Sequence, residues 1–133
     1  MPNKKINRKI AVIFASDVVG YSKHMETNES ETILNLRECE SILTGLFSKY
    51  EGRLFNKGGD LFLAEFPSAV SAVECAVKFQ NAIKERNSNN DPSVKLDFRI
   101  GINSGDVVIE NDNLLGDGVN TEFVSDRLHL MSL

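Results

Sequence analysis

The chain has no tryptophan, two histidines, two cysteines and three prolines in 133 residues. Cys39 and Cys75 stand outside any CxxC or Cys/His spacing, so a disulfide framework and a zinc knuckle are both set aside, and reduced core thiols are expected. His24 and His129 lack acidic or cysteine neighbours at ligand spacing and are read as solvated. Long apolar runs are missing too. The basic start, Met1 to Arg8, is followed by about seven apolar residues, too few for a signal-peptide core or a membrane span. An excess of positive charge is also lacking: 15 basic against 19 acidic residues give −4 and a pI near 5.2. That argues against a broad cationic footprint for nucleic acid and for a small ligand. A cytoplasmic protein with no membrane segment in this chain is the expectation.

What is present is one domain's worth of chain, 41% hydrophobic, with a clear order of elements. Ile10 to Ala15 is a continuous β-branched apolar run, as in a strand buried on both faces. From Glu29, apolar residues at Ile33, Leu34, Leu36, Cys39, Ile42, Leu43, Leu46 and Phe47 recur at helical spacing. Arg53-Leu54-Phe55 and Leu61 to Phe66 flank Asn56-Lys57-Gly58-Gly59, a hairpin signature. Val70, Val73, Ala76, Val77, Phe79 and Ile83 mark a second helix, lasting until the polar stretch Arg86 to Pro92. Glu38, Glu40 and Lys84-Glu85-Arg86 read as solvated helix faces. Val94 to Ile102 is a further strand, and Val107-Val108-Ile109 a fifth, reached through a short turn at Gly105.

Strand, helix, strand, strand, helix, strand is the ferredoxin-like βαββαβ arrangement: an α+β sandwich, its antiparallel sheet covered by two helices, with an additional C-terminal strand. Right-handed crossover places the third strand antiparallel between the first and second. The end of strand one then adjoins the start of strand three. Asp17 stands at that end and Asp60 at that start, on strands roughly 4.8 Å apart, so their carboxylates can share divalent ions about 4 Å from each other. Alone, each aspartate would be read as a turn residue; their proximity is what points to metal.

Four segments, Phe14-Ala15-Ser16-Asp17-Val18-Val19-Gly20-Tyr21-Ser22, Gly59 to Phe66, Arg99-Ile100-Gly101-Ile102-Asn103-Ser104-Gly105-Asp106-Val107 and Gly116-Asp117-Gly118-Val119-Asn120, together resemble the class III adenylate/guanylate cyclase catalytic domain. The resemblance implies that Asp17 and Asp60, with the Val18 carbonyl, hold two Mg²⁺ ions, for which Mn²⁺ can substitute. It further implies that Arg99 contacts the triphosphate, that the Gly20-Tyr21 turn lets backbone amides approach phosphate, and that Asn120 orients the ribose or stabilises the transition state. The substrate would be ATP and the product cyclic AMP. Two departures concern the base: Asn56 stands where the family has a purine-reading lysine, with Lys57 as its neighbour on the opposite strand face, and Asn113 stands where it has an aspartate. A third concerns the transition state, since Val124 occupies the family's arginine position, with Arg127 three residues on.

Active members of that family work as dimers with their sites at a head-to-tail interface, so the resemblance implies a head-to-tail homodimer in which Asp17, Asp60 and Arg99 would face Asn56, Asn113 and Asn120 of a second copy. The expected organisation is a basic extension over 1–8, a cyclase catalytic domain over 9–120 that is incomplete at its C-terminal end, and a divergent tail over 121–133. The alternative function is a catalytically impaired cyclase-like module that binds nucleotide or dimerises as a regulatory domain.

Overall fold

The computed structural model describes residues 7–89, 93–110 and 113–115, with side chains for 9–88 and 93–106. The elements run β1 (Asn7–Val18), α1 (Tyr21–Thr27), α2 (Glu29–Lys49), β2 (Arg53–Gly58), β3 (Leu61–Phe66), α3 (Ala69–Asn89), β4 (Phe98–Glu110) and β5 (Asn113–Leu115). They form a five-stranded sheet in the order β2-β3-β1-β4-β5, and every neighbouring pair is antiparallel. This is the expected α+β fold, with β3 between β2 and β1. Among the described residues no helix is long and apolar enough to cross a membrane.

The strand period of two sorts the sheet into faces. Phe14, Val18, Phe62, Ala64, Phe66, Phe98 and Ile100 point to the helices, where they pack against Leu36, Cys39, Leu43 and Phe47 of α2 and Ala72, Cys75, Ala76, Phe79 and Ile83 of α3. Phe14, Phe47 and Phe66 form an aromatic trio with centroids 5.2–5.7 Å apart, a spacing at which edge-to-face contact adds to area burial. Both cysteines are buried here, and burial pushes the Cys39 thiol up to about 11 and the Cys75 thiol up to about 12. They are core residues, as expected. The opposite face carries a smaller cluster of Ala15 and Leu63, flanked by Phe55 and Leu61.

Four expectations need correction. A short helix, α1, precedes α2, because Gly20 adopts a left-handed conformation (φ 67°) that starts one helix and the Asn28 side chain, accepting from the Glu31 N–H at 3.3 Å, starts the next. No turn occurs at Gly105. β4 runs through it, Gly105 pairing with Ala11, and the fifth strand is Asn113–Leu115 rather than Val107 to Ile109. Glycine there simply occupies a ladder position. In α3 the core stripe is Ala72, Cys75, Ala76, Phe79 and Ile83, whereas Val70, Val73 and Val77 are exposed; in α2, Leu34 is exposed likewise.

Arg86 is the fourth. It continues the buried stripe of α3 and is only 6% exposed. Its guanidinium donates to Asn35 Oδ1, to Glu38 Oε2 at 2.7 Å and to the Val94 carbonyl at 3.5 Å. Asn35 in turn donates to Ser93 Oγ at 2.9 Å, and Ser93 donates to Glu31 Oε2 at 2.6 Å. A buried guanidinium is tolerated only when its donors are met in this way. The network ties Ser93 and Val94, a few residues before β4, to both helices.

The end of α2 explains one glycine. The Gly52 N–H donates to the Phe47 carbonyl at 2.7 Å, a Schellman closure, yet the left-handed residue it requires is Glu51 (φ 64°), not a glycine. Glycine is needed one position later, because a Cβ on Gly52 would lie 2.6 Å from the Phe66 ring. Gly52→Ala should therefore destabilise the chain by about 1–3 kcal/mol by displacing the aromatic trio. Glu51→Gly should be neutral or stabilising, since it relieves the positive φ. Urea denaturation of the two variants checks both signs.

Candidate functional site

β1 ends at Val18 and turns through Val19 and Gly20 into α1, while Gly59 (φ 57°) closes the β2–β3 hairpin alongside. The β1–β3 register pairs Ser16 with Phe62, which brings Asp60 level with Val18. The contact is direct: the Val18 N–H donates to Asp60 Oδ2 at 2.9 Å. Tyr21 is half-buried against the core, its ring next to Gly59, and so ties α1 to the same turn.

On the other side of β1 the register pairs Asp17 with Arg99. Directly opposed residues share a face. Arg99 closes on Asp17 with a two-pronged fork, Nε to Oδ1 at 2.9 Å and Nη2 to Oδ2 at 2.8 Å. The pair is partly sheltered, the side chains being 29% and 16% exposed, and the hydrogen bonding of the guanidinium to the Asp17 carboxylate holds the Arg99 pKa above its ordinary value. Two bonds fix the height of β4 here: the Val19 N–H donates to the Asp97 carbonyl and Gln80 Nε2 to the Phe98 carbonyl, each at 2.8 Å.

Asp60 is raised above the usual carboxylate range, first by burial; backbone hydrogen bonds from Val18 and its own N–H oppose this, and the nearby Asp17 charge adds to it. Asp17, Asp60 and Arg99 are thus close enough to act on one another's charge. Hard carboxylate oxygens with a neighbouring cation suit a Mg²⁺-type ion and phosphate. Two carboxylates alone do not enclose a metal, and no group of three or more His, Cys, Asp or Glu side chains occurs among the described residues.

The other expected residues lie elsewhere. Asn56 is exposed on β2, opposite Leu63 on the helix-free face and two strands from β1. A bulge at Phe55 sets that register, and Lys57 points to the helix side, where its ammonium meets Glu40 of α2 at 2.7 Å. Glu38 and Glu40, read as solvated, are both ion-paired. Asn113 stands on β5 at the far end of β4 from Arg99, and β5 comes back to approach β2. The strands carrying Asn56 and Asn113 therefore converge away from Asp17. Asn120, Val124, Arg127, His129 and the 121–133 segment lie outside the described residues. Sequence reasoning placed Asp17 by Asp60 but missed the Asp17–Arg99 fork; counting the antiparallel β1–β4 register would have found it.

The sheet order is that of an α+β sandwich, with Asp17, Asp60 and Arg99 gathered near the end of its central strand β1, and comparison with known proteins narrows the class. The model of the adenylate and guanylate cyclase catalytic domain matches residues 3–117. A Rhizobium meliloti protein named "Putative adenylate cyclase 3" is 40% identical over 121 residues, covering 90% of this chain and 21% of that protein. Among solved structures, an adenylate/guanylate cyclase/hydrolase from Silicibacter pomeroyi is 30% identical with a TM-score of 0.75, over 96% of this chain and 72% of that one. The adenylyl cyclase CyaB from P. aeruginosa is 25% identical with a TM-score of 0.78, over 97% and 75%. The chain belongs to the adenylate and guanylate cyclase catalytic domain family. It spans about a fifth of the length of the Rhizobium relative.

The raised Asp60 pKa has a consequence for stability. A carboxyl that holds its proton more tightly folded than unfolded loses stability as pH rises from 3.8 through the raised folded value, and the loss then stays constant to neutral pH. Asp60→Asn, still able to accept from the Val18 N–H, should be more stable than the parent in metal-free neutral buffer. The gain should vanish below the unfolded carboxyl's pKa, as read from urea midpoints at neutral and acidic pH.

Proposed function

We propose that the chain is the catalytic portion of a nucleotide cyclase that forms cyclic AMP and pyrophosphate from ATP. The observation that carries this reading is the convergence of Asp17 and Asp60 at the Val18 backbone, with Arg99 alongside. Asp17, Asp60 and the Val18 carbonyl would hold two Mg²⁺ ions, with Mn²⁺ as a substitute. When bound, these supply a lowered pKa for the ribose 3′-hydroxyl and charge neutralisation on the triphosphate. The 3′-oxygen would pass its proton to solvent water and bond to the α-phosphorus, and the bond from that phosphorus to the bridging oxygen would break, with pyrophosphate leaving. Arg99 would take two phosphate oxygens with its planar fork. The Val19-Gly20 turn, free of a side chain at Gly20, and the adjoining Tyr21 would admit the phosphates close to the backbone.

Asn56 and Asn113 would read the purine, and Asn120 would orient the ribose. The separation of Asn56 from Asp17 by two strands supports a head-to-tail homodimer in which one copy supplies the acidic cluster and the other the asparagines. We place the protein in the cytoplasm, and assign 9–120 to the catalytic domain, 1–8 to a basic extension and 121–133 to a divergent tail.

A second reading, a nucleotide-binding or dimerising regulatory module without turnover, is favoured by one observation. Lys57 is engaged with Glu40 on the helix side, so the expected base-reading position is left to Asn56, which lacks the charge-assisted strength of lysine.

Incubation of the purified chain with Mn-ATP and quantification of cyclic AMP separates the two. Turnover should fall by about 10²-fold or more in Asp17→Ala, the scale of losing a principal electrostatic contributor. Saturable ATP binding with no product in the parent chain would instead establish the regulatory reading.

A further inference from the structure

We infer that Arg99 guards the metal site: in the nucleotide-free chain its fork covers both oxygens of Asp17, so a divalent ion gains that carboxylate only when phosphate takes Arg99 away. This deepens the reading of Asp17 as a metal ligand and rests on it. The two acidic groups are not equivalent. Asp60 gives one oxygen to the Val18 N–H and has no cationic hydrogen-bond partner among the described residues, whereas both oxygens of Asp17 are engaged, at 2.9 and 2.8 Å, by a planar donor pair. A bidentate fork takes the same oxygen lone pairs that a cation would use, and its positive charge opposes a second cation at that point.

The geometry makes the guarded state the resting one. Asp17 and Arg99 face each other across β1 and β4, so the fork forms without displacing either strand. The base of Arg99 is held by the Asp97 and Phe98 backbone contacts to Val19 and Gln80, which leaves only the side chain free to change partner. A triphosphate offers that side chain oxygens of higher charge than a carboxylate. Arg99 would leave Asp17 for phosphate, and the uncovered Asp17 would join Asp60 around the cation. Metal and triphosphate then strengthen each other's binding, and by linkage the effect is reciprocal. Arg99 is thereby a positioning residue for the metal as well as a phosphate ligand.

The test reads Mn²⁺ binding to the nucleotide-free chain by electron paramagnetic resonance of the free ion, with circular dichroism to verify folding. Arg99→Met should bind Mn²⁺ about tenfold more tightly than the parent, in the usual range of site-to-site coupling. Arg99→Lys retains the charge but not the fork, and should also tighten binding, by a smaller factor; it carries the test should the methionine variant not fold. Adding Asp17→Asn to Arg99→Met should cancel the gain. Arg99→Met binding no more tightly than the parent, while Mn²⁺ uptake with ATP still depends on Asp17, would overturn the guard and leave the metal reading standing. A gain in Arg99→Met with none in Arg99→Lys would overturn it as well, since charge alone would then account for the effect. Mn²⁺ uptake that ignores Asp17 both with and without ATP would remove the metal reading and the guard together.

Discussion

The placement of the site rests on the register of a single strand. β1 is hydrogen-bonded along both edges, to β3 and to β4, and each register decides one neighbour of its final residues. Against β3 it sets Asp60 beside Val18; against β4 it sets Arg99 opposite Asp17. A slip of one residue on either side would turn the partner to the opposite face of the sheet. The apolar faces resist that slip, because Phe14 and Val18 are buried under the helices and Ala15 is buried on the other side. Core packing and site geometry are therefore one constraint.

Charge placement follows from the same frame. The buried Arg86 network and the backbone bonds of Asp97 and Phe98 hold the start of β4 against both helices and the β1 turn. A rigid strand base under a long side chain is what allows a residue to exchange partners without the fold moving. Lys57 shows the converse. The Phe55 bulge sets its parity, and an ion pair with Glu40 keeps it on the helix side.

Much of the fold was legible because period-two and period-3.6 patterns are strong in β1, α2 and the hairpin. Errors arose where one residue type serves two uses. Gly105 reads as a turn but occupies a continuous ladder. Val70, Val73 and Val77 have the spacing of a core stripe yet lie beside it, the smaller Ala72, Cys75 and Ala76 facing inward because α3 packs closely on the sheet. Arg86 reads as solvated because nothing local announces that Asn35, Glu38 and Val94, distant along the chain or across a loop, will satisfy it.

By itself the sequence determined the α+β class, the approach of Asp17 to Asp60 and membership of a cyclase-like lineage, since these depend on local periodicity, handed crossovers and short motifs. Only the tertiary structure decided which partner each acidic group holds: Val18 N–H for Asp60 and the Arg99 fork for Asp17. Hydrogen-bond partners between strands depend on exact register, and register is set by the summed packing of both sheet faces rather than by any segment alone.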